Sequence, residues 1–373
     1  MSSTSNYEPS VVFTRYLYIK NEVKIALFTS LLERNEEKSL FWAYELYYSG
    51  FEKELVHLVW NIYFDCYCPL NPTFSTFLRE NQTKLEKSKK TEEKREIISL
   101  IINNFLIRPY SLDIFLLLQK SKENDKFTTK MTLTSLLSER NYEELSKYIL
   151  QTPETKLKTL MEKVVEYFEK TDENIKKSEE MQKFEEIYKK TKKSVTPQKI
   201  VLSRTFSLYY QIQKVKMGKN IILNLNVDEL AALKKYETIV ATKELPHYKV
   251  LPLAYSYQID ANNYRSLLGV KREQQYTTLS YYYNWLYHAS FSPIWLDRIQ
   301  KYGGKIDYDR QIVEFQEDPN DDLMQEFYGH FGYEPDEQTR ETQEKSIQPL
   351  NTTKTWQNFY ETFGKRGIYI PQF

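Results

Sequence analysis

Residues 20–68, KNEVKIALFTSLLERNEEKSLFWAYELYYSGFEKELVHLVWNIYFDCYC, constrain the fold more than any other stretch. Apolar residues recur at Val23, Ala26, Leu27 and Leu31, at Leu40, Ala43, Tyr44 and Tyr47, and at Leu55, Leu58, Val59 and Ile62. Steps of three and four place each set on one face of a helix, so three consecutive helices are predicted. Asn35 and Gly50 separate them, each suited to closing a helix in a left-handed turn. Connections this short fold neighbouring helices back on each other. Phe28, Phe41, Trp42, Phe51, Trp60 and Phe64 enlarge the apolar face. At ~1.5–3 kcal/mol per large side chain buried, this stretch is the expected stability centre of the N-terminal half.

A similar unit follows downstream. Residues 28–46, FTSLLERNEEKSLFWAYEL, resemble 133–150, LTSLLSERNYEELSKYIL, with one residue inserted before Arg-Asn. Residues 96–118 give another helix pair, broken at Arg108-Pro109. The predicted fold class is mainly α: irregular helical hairpins of the HEAT or TPR kind, then a mostly helical lobe with a minor β element. Convergence of helical hairpins on the same turn chemistry accounts for the likeness equally well. The predicted segments are a frayed N-terminus (1–10), a hairpin domain (11–152), a charged helical connector (153–195) and a mixed lobe (196–373).

The connector keeps an apolar stripe at Leu157, Leu160, Met161, Val164, Val165 and Phe168, resumed at Met181, Phe184 and Ile187. A long helix, a helical hairpin and a coiled-coil contact all fit that pattern, although the heptad lapses across 170–180. Farther on, 196–220 reads as a helix, and 220–239 as a short strand followed by a helix capped by Asn226 or Asp228. Residues 243–258 read as extended chain, and 275–302 as two helices broken before Pro293. Gly303-Gly304 introduces a small hairpin in KIDYDRQIVEF, Asp321 caps a helix to Phe331, 334–353 reads as loop, and 355–363 as a last helix.

Composition narrows the function classes. Fifty-two Lys and Arg against 51 Asp and Glu leave a formal charge of +1 across 373 residues, so no global field favours nucleic acid or an anionic membrane. No apolar run approaches about 18 residues, so no membrane span is expected. Two cysteines and no leader segment predict a reducing, intracellular compartment.

Chemical motifs are incomplete. Cys66 and Cys68, with His57, supply three soft ligands where structural zinc needs four, and read as buried structural thiols. Gly218-Lys219 is not a phosphate loop, because Gln213 occupies the first glycine position and Asn220 the Ser/Thr position. Asp318, Asn320 and Asp322 begin like a calcium loop, but Leu323 and Gly329 replace its glycine and glutamate. The four histidines stand far apart in sequence. The reading is therefore non-enzymatic, with no cofactor, metal or catalytic residue assigned.

Two stretches suggest binding. Lys199, Arg204, Lys214, Lys216 and Lys219 interleave with Phe206, Tyr209 and Tyr210, a pattern suited to a phosphate backbone and stacked bases. The same pattern fits an amphipathic helix with buried tyrosines and solvated lysines. Tyr281, Tyr282, Tyr283, Trp285 and Tyr287 cannot all face one core, so part of this cluster is a candidate protein-binding surface.

The run FTRYLYIKNEVKIALFTSLLERNEEKSLFWAYELYYSGFEKEL (13–55), with Asn71-Pro72 and FGYEPDEQT (331–339), resembles an uncharacterised protein family of nucleocytoplasmic large DNA viruses. That resemblance carries no functional residue. It implies a viral protein made in the host cytoplasm, acting in the viral factory or packaged in the virion. EKSLFWAYELYYSGFEKEL is also similar to the C-terminal helical domain of clamp-loader-related AAA+ ATPases. The Walker motifs of those ATPases are missing, so this likeness implies at most an oligomerising or replication-associated module. The resulting expectation is an interaction or structural protein docking viral protein partners through helical hairpins and an aromatic surface. The alternative is a nucleic-acid-associated factor in viral replication or transcription, using 199–219.

Overall fold

The computed structural model describes residues 11–123, 131–237, 284–315, 322–331, 356–364 and 366–371. The expectations for 1–10, 243–258, 334–353 and the Asp321 cap lie outside these. The chain divides into two compact units, residues 1–55 with 225–356, and residues 56–224 with 357–373. This division is discontinuous, unlike the sequential boundaries at 152 and 195 expected from composition. The fold is mainly helical, and a single two-stranded antiparallel sheet occurs among the described residues. No described helix is long and apolar enough to cross a membrane.

In the first unit, α1 (Lys20–Glu33) and α2 (Glu36–Tyr48) form a hairpin, and α3 (Glu52–Ile62) begins there. Contrary to expectation, the left-handed residue between α1 and α2 is Arg34 (φ 57°). Asn35 instead caps α2, its Oδ1 accepting from Lys38 N at 2.9 Å. A short Asn side chain can satisfy an orphan helix amide, which accounts for its place one residue later. The downstream copy repeats the arrangement: Arg140 has φ 55°, and Asn141 Oδ1 accepts from Glu144 N at 3.3 Å. Both turns close a six-residue bond of the Schellman type, Asn35 N to Ser30 O (3.0 Å) and Asn141 N to Leu136 O (3.2 Å).

Gly50 makes the same closure after α2, at φ +90° with Phe51 N donating to Leu46 O at 3.0 Å. A Cβ there would lie 2.5 Å from Pro293 Cβ. Gly50→Ala is therefore expected to destabilise the first unit by about 2 kcal/mol, read as a lower urea midpoint at unchanged slope.

The remaining elements of this unit are α12 (Val227–Ala232), α13 (Lys234–Glu237), α14 (Trp285–Ala289), α15 (Pro293–Lys301), the β1 (Gly304–Asp307) and β2 (Ile312–Phe315) hairpin, and α16 (Asp322–Phe331). Asn226 caps α12 in a full capping box with Glu229. Phe13, Leu17, Trp285, Trp295, Ile299 and Phe327 share one core. At its centre Trp295 donates to Thr14 O at 2.9 Å and meets Trp285 edge-on.

The second unit holds the rest of α3, a π turn (Tyr63–Tyr67), and α4 (Phe74–Lys87), α5 (Thr91–Leu106), α6 (Asp113–Glu123), α7 (Leu133–Ser138) and α8 (Tyr142–Gln151). It continues with α9 (Leu157–Thr171), α10 (Lys177–Thr191), α11 (Pro197–Ile212) and α17 (Trp356–Phe363). The charged connector is the hairpin α9–α10, its stripe from Leu157 to Phe168 fully buried. Every residue of α11 from Ile200 to Tyr210 is buried, the polar Ser203, Arg204, Thr205 and Ser207 included. Residues 220–225 do not pair as a strand. Instead the Asn104 amide group holds Leu223 by both backbone groups, each at 2.9 Å.

Candidate functional site

Burial of α11 decides the use of most basic–aromatic residues. Phe206, Tyr209 and Tyr210 are at most 1% exposed and offer no face to a base. Tyr209 donates to Leu137 O and Tyr210 to Asp113, both at 2.7–2.8 Å. Lys199 pairs with Asp65 at 2.7 Å, and Arg204 with Glu180. Only Lys214, Lys216 and Lys219 are exposed, and they lie beyond the helix end. The expected stacking stripe is thus replaced by a core helix whose cations neutralise buried carboxylates, because rings at this density stabilise more by burial than by exposure.

The second cluster is corrected in the same way. Trp285 and Tyr287 are each 4% exposed and belong to the interior. Tyr281, Tyr282 and Tyr283 lie outside the described residues. Cys66 and Cys68 are free, fully buried thiols, their pKa values raised by burial, which leaves them unreactive. Among the described residues no group of three or more His, Cys, Asp or Glu side chains could hold a metal ion.

A different surface of the first unit has the geometry of a binding site. On α2, Leu40, Ala43 and Tyr44 take the inward positions. Phe41 and Trp42 are thereby turned to the flank, where both stay half-buried. They meet edge-on at 4.8 Å, and Tyr18 packs against both, at 6.1 and 5.1 Å. Across from them, Tyr236 of α13 stacks on Tyr44 at 5.0 Å. The cleft enclosed by α1, α2 and α13 measures about 500 Å3. Ala26, Thr29 and Ser30 form its floor, Phe41, Trp42 and Tyr236 its walls, while Glu33, Glu37, Lys38 and Lys235 lie at its edge.

The cleft is built on a fixed frame. Arg15 pairs with Glu45 at 2.8 Å, both buried, and its Nη2 donates to Tyr236 O at 2.9 Å. This ties α13 to α2. Glu45 also accepts from Tyr16 N at 3.1 Å. Burial raises the phenols of Tyr16, Tyr18 and Tyr236 to about 12, so all three remain protonated donors at neutral pH. Thr29 and Ser30 return their hydroxyls to α1 carbonyls at 2.9–3.2 Å, leaving a floor with little unmet polarity.

The sequence contains one signal for this cleft: Phe41 and Trp42 are adjacent aromatics that step off the 40/43/44 face. The contribution of α13 has none, since it lies almost 200 residues away. Comparison with protein-family models, curated proteins and solved structures gives no match.

Proposed function

We propose that the protein is a non-enzymatic docking protein of a large DNA virus, acting in the viral factory or within the virion. Its α1–α2–α13 cleft takes up an apolar side chain of a viral protein partner. The observation that carries this reading is the pair of adjacent, half-exposed aromatics lining a cleft of about 500 Å3. Aromatic side chains held rigidly at a concave site are the usual energetic anchors of protein recognition. The edge carries two carboxylates and two ammonium groups, which favours a neutral peptide surface over a polyanion. The viral assignment is supported by the resemblance over residues 13–55.

The test starts with a photo-crosslinking residue at position 38 in infected cells, followed by purification of the protein it captures. Phe41→Ser with Trp42→Ser is expected to weaken binding of that purified partner about 30-fold or more, measured where both chains are folded because loss of two half-buried rings also lowers the unfolding midpoint. Equal affinity for variant and wild type would remove the cleft from the proposal.

A further inference from the structure

A second cavity, of about 200 Å3, lies wholly within the unit of residues 56–224. One of its walls is a single face of α10, where Glu180, Lys183, Ile187 and Lys190 follow at steps of three, four and three. The opposite wall is the first turns of α4, with Thr73, Ser75, Thr76 and Arg79. Arg204, from the buried helix α11, closes it from within.

Charge at this cavity is unbalanced. Four cations (Arg79, Lys183, Lys190 and Arg204) face two carboxylates, Glu180 and Glu186. Glu180 is shared by Lys183, at 2.8 Å, and Arg204. Arg79 reaches Glu186 only at 3.5 Å, and Lys190 forms no ion pair among the described residues. Two positive charges are left over. Arg204 is 1% exposed, and its Nε has no hydrogen-bond acceptor among the described residues, a costly state for a buried charged donor. The 14-residue α4 directs the positive end of its dipole to the same place, although Phe74 N and Thr76 N already donate to Asn71 O and Thr73 O, both at 3.1 Å. An interior cation with an unmet donor, the positive end of a helix dipole and a surplus of two charges converge on one small volume.

We propose that this cavity binds the phosphoryl group of a small phosphomonoester. A phosphoryl dianion matches the surplus charge, and its three acceptor oxygens suit guanidinium and ammonium donors at the positive end of a helix. A water molecule occupies roughly 30 Å3 in the liquid, so the cavity takes a phosphoryl group and a carrier of a few heavy atoms. Trp60 and Ile187 supply apolar surface for the carrier. Free phosphate shares the chemistry but leaves that surface uncovered.

The experiment is calorimetric titration of the full chain with glycerol 3-phosphate and with inorganic phosphate, at pH 7.5 and constant ionic strength set by NaCl. Saturable one-site binding is expected, tighter for the ester. Arg79→Ser and Lys190→Ser, both at partly or fully exposed positions, are each expected to weaken it about tenfold, with unfolding midpoints unchanged. Affinity should also fall between pH 7.5 and pH 5, as the ester loses its second charge near pH ~6. Absence of saturable heat with the ester, binding of inorganic phosphate alone, or titrations indifferent to both substitutions would each overturn the proposal.

Discussion

Glu180→Ala is expected to be the most damaging single substitution in the second unit, costing about 3–5 kcal/mol. Arg204 is 1% exposed and Glu180 6%, so the guanidinium left behind meets water only across the small cavity it lines. Burial by itself would raise the Glu180 carboxyl, yet Arg204 and Lys183 outweigh it and hold the group below its ordinary 4.5. Its folded pKa is thus depressed, so the stabilisation is present above the unfolded value and is lost as pH falls through the folded one. The measurement is urea unfolding at pH 7, with hydrogen exchange of the α11 amides reporting on the unit concerned. Replacing both partners together, Arg204→Met with Glu180→Leu, should recover most of the loss, since it removes the unpaired charge along with the pair. A loss below about 1 kcal/mol in the single variant would mean that Arg204 finds another anion.

How much of this was legible in the chain depends on the element. The helices of 20–62, the break before Pro293, the Asn226 cap and the 304–315 hairpin follow from periodicity and turn chemistry, which act within a few residues. Which helices lie innermost did not follow. The stretch 199–219 presents five cations and three rings, and pattern alone cannot say whether a carboxylate waits for each cation. The partners of Lys199 and Arg204, Asp65 and Glu180, stand 134 and 24 residues away in sequence. The aromatic cleft was hardly legible: Phe41 and Trp42 read as part of a wide apolar face, and only their adjacency sets them off the 40/43/44 stripe. Tyr236 gives no such sign, because α13 is four residues long and is joined to α2 through Arg15 and Tyr44, far away in sequence.

The two cavities differ in the way their surroundings differ. The cleft at α2 has a floor whose hydroxyls are already satisfied, so what it offers a visitor is surface area and shape. The cavity at α10 is lined by charges only partly matched, so what it offers is an unmet electrostatic demand. On the proposed reading, a protein partner is held through one unit and a small anion through the other. The two sites share no residue, so substitutions at Phe41 and Trp42 should leave phosphate titrations unchanged, and those at Arg79 and Lys190 should leave partner affinity unchanged.

Asp113→Asn is expected to stabilise the protein at neutral pH by up to about 3 kcal/mol and to lose that advantage near pH ~4. Asp113 opens α6 and is 1% exposed. Its Oδ2 accepts from Tyr210 OH at 2.7 Å and Ile368 N at 2.9 Å, and no Lys or Arg pairs with it among the described residues. Gly367 permits this contact, since a Cβ there would lie 2.1 Å from Asp113 Oδ1. Burial raises the carboxyl from 3.8 to about 6, the hydrogen bonds from Tyr210 and the Ile368 amide offsetting only part of the effect. Because the folded pKa lies above the unfolded one, the native state holds the extra proton between pH 3.8 and about 6. Stability therefore falls as pH rises through that window, by ~1.36 kcal/mol for each pH unit crossed. Asparagine keeps the shape and the acceptor oxygen but has no charge to bury. Glu54 and Glu180, whose carboxyls are held low, impose the opposite slope on the whole protein. The diagnostic quantity is therefore the difference between variant and wild-type unfolding free energies, measured by urea at pH 4.5, 5.5 and 7. Parallel profiles would mean that water reaches the Asp113 carboxylate beneath the 366–371 segment, whereas a gap that opens with pH ties the buried charge to that contact.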